Sequence, residues 1–134
     1  MGALTEDRNT PRKEGLSIPV PVAASVKIFT GALLAADADG YATPGATATT
    51  LTYLGMAEET VDNTDGADGA KNVLIRRGEA FQFANDGTDP VTQASMGKVC
   101  YIVDDQTVAA TSGTNTRSAA GTVIGIDADG VWVL

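Results

Sequence analysis

The sequence predicts an all-β protein: a small barrel or sandwich of short strands, with one short helix and an extended N-terminal arm. Three observations predict it. Apolar, β-branched runs are short and are cut by turns rich in Gly and Asp. Only one stretch carries a helix start signal with a stop close behind it. The first 22 residues have no helical period and are punctuated by proline. The organisation that follows is an arm over residues 1–22 and a single β domain over residues 23–134.

Within the arm, Asn9-Thr10-Pro11, Gly15 and Pro19-Val20-Pro21 impose extended or turn geometry and withhold ladder donors. Leu16, Ile18, Val20 and Val22 alternate like a strand without a sheet of its own, a pattern suited to pairing with another chain. Regular structure begins near Ala24. Val26 and Ile28, then Ala32 to Ala35, read as two short strands about Thr30-Gly31. Asp37-Ala38-Asp39-Gly40 is a turn into Tyr41-Ala42-Thr43.

Thr-rich residues 46–60 read as strand, with Leu51, Tyr53 and Gly55 on one face. Residues 62–70 are loop by composition. Strands follow on either side of Gly78, the second placing Phe81 and Phe83 on one face and Gln82 on the other. Asp89-Pro90 resembles a helix cap with proline at the first helical position, predicting a short helix over 91–96 that Gly97 ends.

From Gly97 to Leu134 the pattern is clearest. Two apolar runs flank Asp104-Asp105, and two more flank Asp127-Ala128-Asp129-Gly130, so this segment predicts two hairpins. The tetrapeptide Asp-Ala-Asp-Gly recurs at 37–40 and 127–130, which reads as a turn used twice and not as a duplicated domain.

Composition bounds the function. Aromatics make up 5% of the chain, so the core must be built from small side chains and has room to lean on a subunit interface. Nine Lys and Arg face seventeen Asp and Glu, a net charge of −8 that argues against nucleic acid, whose phosphates require a basic patch. Met56 to Asn72 holds five acids against one lysine, an acidic stretch suited to a solvated loop or to a basic partner. No apolar run is long enough for a membrane helix, and the polar N-terminus does not read as a signal peptide.

Chemistry is sparse. Without histidine the chain lacks the commonest general base and zinc ligand, and a nucleophile–histidine pair cannot form. Cys100, alone and mid-strand, reads as a buried small hydrophobe. Glu58 and Glu59 face opposite ways on a strand. Asp62, Asp65 and Asp68 could offer oxygens to calcium, yet Asp-Gly turns need no metal and no twelve-residue loop ending in Glu follows. Arg76 and Arg77 also face opposite sides, so only one can join any given contact. Trp132 either packs inward, lies at an interface, or supplies the aromatic of a binding site. The expectation is a non-enzymatic protein with no cofactor and no metal.

Several stretches carry a resemblance. They are Ala3 to Pro11, Asp62 to Gly69 running into Val73 to Gly78, Val103 to Val108, and Thr116 to Gly121 before Ile124 to Val133. Together they resemble the capsid cement, or head decoration, proteins of tailed bacteriophages and prophages. The resemblance implies a virion protein that leaves the host cytoplasm on the exterior of a capsid. It implies the major capsid protein as partner, self-association as a homotrimer, and an N-terminal arm that reaches the coat. The arm residues assigned to that contact are Leu4, Arg8, Pro11, Arg12, Leu16, Ile18 and Val20. The competing expectation is a small β-sandwich binding module, for a glycan or calcium, from a phage tail or bacterial surface.

Overall fold

The structure is a computed structural model that describes residues 2–134. Twelve short strands make up nearly all of its regular structure among those residues. Five form an antiparallel sheet: β1 (Ser17–Pro21), β3 (Leu33–Ala36), β4 (Ala42–Pro44), β5 (Thr52–Ala57) and β7 (Asn72–Arg76), in the order β1-β7-β5-β3-β4. Five more close into a barrel: β8 (Phe81–Asn85), β9 (Val99–Ile102), β10 (Thr107–Ala109), β11 (Ala119–Asp127) and β12 (Gly130–Val133), in the order β10-β8-β12-β11-β9. A small ribbon pairs β2 (Lys27–Ile28) with β6 (Val61–Asp62). The all-β prediction holds, in the form of a barrel packed against a curled sheet.

Both predicted C-terminal hairpins form, β9 with β10 and β11 with β12. Their turns work as Asp chemistry dictates. Asp104 Oδ1 accepts from the Gln106 N–H at 2.9 Å, and Asp127 Oδ1 accepts from the Asp129 N–H at 2.8 Å. The β3–β4 turn repeats the device, with Asp37 Oδ1 accepting from Asp39 and Tyr41 N–H groups at 3.0 Å.

Packing divides the apolar residues between two cores. The barrel core holds Phe83, Val91, Cys100, Ile102, Val108, Val123, Val131 and Val133; the second core holds Val22, Ile28, Ala42, Ala57, Val61, Val73 and Ile75. β3 serves both, because Leu33 and Ala35 face the barrel while Leu34 faces the second core. Its unbroken apolar run is what burial on two faces requires. β5 and the residue before it divide likewise: Leu51 and Tyr53 lean on the barrel core and Leu54 on the other. A bulge makes this possible. Leu34 pairs with Gly55 but Ala35 pairs with Tyr53, leaving Leu54 as the extra residue. Gly55 therefore leaves the face expected of it, and its φ of +138° suits glycine.

The strands on either side of Gly78 form as expected, and they part company: β7 pairs with β1 and β5, while β8 crosses to the barrel between β10 and β12. Two sequence expectations change. The helix over 91–96 shrinks to a 3₁₀ turn at Gln93–Ser95 preceded by Thr92. Asp89 cannot cap it, because Asp89 Oδ2 accepts from the Thr111 hydroxyl at 2.6 Å and from Arg117 at 2.9 Å. Val91 is held extended by both ends of the Asn85 amide, at 2.7 and 2.9 Å, so its backbone is not free to start a helix.

The arm is the second. Ser17–Pro21 is not free but is paired with β7, with Ile18 opposite Ile75 and Val20 opposite Val73. Ile18 and Val20 pack on the second core. The segment outside regular structure is therefore residues 2–16.

The prolines of β1 have a definite place in its ladder. Arg77 N–H donates to Leu16 O and Val22 N–H to Lys71 O, so even-numbered residues bond to β7 and odd-numbered ones point outward. The outward positions 19 and 21 are both proline. This edge presents carbonyls but hardly any donors, which blocks a further strand from pairing there. Just beyond it, Val22 bridges Ala42 of β4, so the curled sheet nearly closes on itself.

The shared strand gives a prediction. Leu34→Ala removes a fully buried side chain from the second core and should cost about 2–5 kcal/mol. Urea unfolding followed by the fluorescence of Trp132, which belongs to the barrel, should still show one transition, shifted by the full amount. Two separated transitions would mean that the layers unfold independently.

Candidate interaction surface

The acidic stretch turns its side chains mostly inward on the protein's own backbone. Glu58 Oε2 accepts from the Ser17 hydroxyl at 2.9 Å, and Glu59 Oε1 caps the Leu74 N–H at 3.0 Å. Asp62 Oδ1 accepts from both the N–H and hydroxyl of Thr64, and Asp68 Oδ1 accepts from the Ala24 N–H at 2.7 Å. The Thr64 donors, aided by Lys27 and Lys71, hold the exposed Asp62 carboxyl below its ordinary value. Lys71 Nζ also donates to Asp62 O at 2.6 Å, which places a cation at the cleft where calcium would have to enter. Buried Asn63 stiffens the loop by donating to Ala23 O and Ala67 O, with its own oxygen turned against Gly66, where any side chain would collide. No group of three acidic, His or Cys side chains gathers into a metal-holding cluster among the described residues.

Neither the cysteine nor the arginine pair forms a reactive centre. Cys100 is fully buried, its Sγ donates to Gly121 O at 3.4 Å, and burial pushes the thiol up to about 11. Nearby Tyr53 is raised for the same reason, burial of its hydroxyl. Arg76 is bound by Glu79, with Glu58 at 3.9 Å, whereas Arg77 is exposed.

Two surfaces remain. The first is the segment 2–16. Leu4, Arg8, Pro11, Arg12 and Leu16 are all exposed there, while the half-buried Ile18 and Val20 belong to β1 and are committed to the second core. Arg8, Arg12 and Lys13 lie within six residues that contain no acid. None of the three forms an ion pair among the described residues; Arg8 bonds only to Thr10, at 2.7 Å.

The second surface is the outer wall of the barrel. Cys100, Val123, Val131 and Val133 point inward, so the alternate residues point outward. They form two cross-strand rows. Val99, Thr122 and Leu134 make one, joined by the Thr122–Leu134 backbone bonds; Gly125, Trp132 and Gln82 make the other, with Ile124 in the bulge between them. No residue of either row is charged, but the exposed Asp127 carboxylate lies beside the second, bonded to both Trp132 and Gln82. Val99, Ile124, Trp132 and Leu134 are 43%, 48%, 39% and 53% exposed, so four large apolar side chains meet solvent on one wall.

Trp132 is fixed in place on that wall. Its indole rests over Gly125, where a Cβ would come within 3.2 Å of the ring, and its N–H donates to Asp127 Oδ2 at 3.2 Å. The other Asp127 oxygen accepts from Asp129 N–H, Gly130 N–H and Gln82 Nε2. Of the placements open to Trp132 in the sequence, the structure takes the outward one. Only burial shows this, since both neighbours in the chain are apolar. Comparison with known protein families, with curated proteins and with solved structures finds no match for this chain.

The clamp on Trp132 should titrate. Donation from the Asp129 N–H first, and from Trp132 next, holds the Asp127 carboxyl below its ordinary value. A depressed folded-state value means that the clamp contributes fully above the usual carboxylate value of about 3.9 and is lost as pH falls through the folded value. Trp132 quenching by acrylamide should therefore be flat from pH 7 to about 4 and rise only below it. Asp127→Ala should show the raised quenching already at pH 7 and remove the acid step. An unchanged acid step in the variant would place its origin elsewhere.

Proposed function

We propose that this protein is a capsid cement protein, which binds the outer surface of a tailed-phage head and braces neighbouring coat subunits. The observation that carries the reading is the exposed segment 2–16. Beside Glu6, Asp7 and Glu14 it offers three cations that form no ion pair among the described residues, on a protein whose net charge is −8. Its stretch Arg8–Lys13, three cations with no acid between them, would be drawn to an acidic groove of the major capsid protein and ordered there, as segments that fold on binding are. Leu4, Pro11 and Leu16 would supply the apolar contacts, and Arg8 and Arg12 the charged ones. Anchoring is good, because β1 ties the segment directly to the second core. The resemblance to head decoration proteins points the same way and adds self-association on the head, as a homotrimer, in the virion exterior.

The rival reading, a glycan-binding module, rests on the exposed ring of Trp132. Its surroundings count against it. The indole N–H is already spent on Asp127, and Val99, Ile124 and Leu134 offer no polar group to a sugar hydroxyl. Quenching of Trp132 by simple sugars would favour the rival.

Deletion of residues 2–15 tests the proposal. Co-sedimentation with expanded empty heads should be lost, while the thermal midpoint stays within a few degrees of the full chain, since Leu16 and β1 are kept. Arg8→Glu with Arg12→Glu should weaken binding and reduce its salt dependence. Undiminished head binding by the truncated protein would sink the assignment of this segment to the coat.

A further inference from the structure

We infer that loop 63–71, between β6 and β7, is a latch on the root of the exposed N-terminal segment: residues 2–25 leave the body as one unit when it opens. The contacts are dense. Every backbone N–H from Val22 to Ser25 is bonded, and three of the four bond to the loop. Val22 N–H donates to Lys71 O at 2.9 Å and Ala24 N–H to Asp68 Oδ1 at 2.7 Å, while Ser25 N–H is shared between Asn63 O and Gly66 O at 3.1 and 3.2 Å. The fourth, Ala23 N–H, donates to Ala42 O. In return, Gly69 N–H donates to Val22 O and the Asn63 amide to Ala23 O, each at 2.8 Å. The loop is itself braced, since Asn63 Nδ2 also reaches Ala67 O and its oxygen lies where a side chain at Gly66 would stand.

The connection that the loop grips is strained. Exposed Ser25 stands at φ +62°, in the left-handed region that a side chain disfavours. Such a conformation persists where its surroundings impose it, and here two loop carbonyls hold the Ser25 N–H. Elsewhere the unit is lightly held. β1 is a terminal strand paired with β7 alone, and its Ile18 and Val20 are half-buried. A strand of this kind frays from its free end, near Leu16. Fraying stops at the other end, where the fully buried Val22 and the latch coincide. Release of the latch therefore frees β1 together with the segment before it, while the closed barrel keeps its own pairing. On the cement reading, the latch is what carries the segment's hold on the coat into the body.

Native-state hydrogen exchange of the full-length protein tests it. The Val20, Val22 and Ser25 amides should exchange as one group, faster than the Val123 and Leu134 amides of the barrel. Asp68→Ala should speed that group about fivefold or more, with wild-type circular dichroism. Val20 should move with the rest, although it pairs with Val73 and not with the loop. Ser25→Gly keeps the N–H and relieves the strain, so it should slow the same group. Val131→Ala removes a fully buried side chain from the barrel core. It should speed Val123 and Leu134 and leave the group unchanged, because the barrel is still folded when the latch is open. A group that accelerates with Val131→Ala overturns the inference, since β1 would then leave only when the whole protein unfolds. So does an Asp68→Ala effect confined to Ala24 and Ser25, since β1 would then open independently of the loop. These measurements use no heads, so the latch and the cement reading stand or fall separately.

Discussion

One strand holds this molecule together. Leu33–Ala36 is the partition between two apolar cores, and both faces are buried from Leu33 to Ala35. Its backbone is also fastened on both sides: Leu33 N–H donates to Asp105 O in a barrel turn, and Gly45 N–H donates to Leu33 O. The side chains are as small as this position demands. Beyond Leu33 and Leu34, the partition continues with alanine, so the layers on either side can approach closely. A chain poor in aromatics thus manages two thin cores, because every apolar residue on the shared wall has contacts on its own side and a neighbour bound to the other.

The seam between the layers is reinforced by polar bonds of long reach. The buried Ser118 hydroxyl donates to Ala48 O at 2.7 Å and accepts from the Leu51 N–H, while Thr47 donates to Val103 O. These groups lie in connecting loops, where the backbone would otherwise be buried without partners. Arg117 and Asp89 do similar work at the far end of the barrel, binding the loop after β10 to the one after β8. Protonation would weaken this last contact only in strong acid, since the Thr111 and Arg117 donors hold Asp89 below its ordinary value.

Edge control shapes what the surface can do. The barrel has no edge, the curled sheet almost closes at Val22 and Ala42, and the outer side of β1 is stripped of donors by Pro19 and Pro21. Strand addition, the easiest way for a β protein to aggregate, is largely closed off. What remains for partners is made of side chains: the exposed segment 2–16 with its Arg8–Lys13 cations, and the largely apolar wall around Trp132.

Residues close in the chain carried most of what could be read from the sequence alone. The all-β class, the Asp-led turns, both C-terminal hairpins, the inward Cys100 and the shared face of Phe81 and Phe83 all follow from alternation and turn chemistry, which act over a few residues. Tertiary structure decided the rest, because each remaining question turned on a distant partner. Arg117 and Thr111 took Asp89 away from a helix, β7 took Ile18 and Val20 away from the arm, and β8 left its neighbour in sequence for a place between β10 and β12. The same holds for the outer wall. Alternation places Trp132 opposite Val131 and Val133, but only closure of the barrel determines which of the two faces becomes the core.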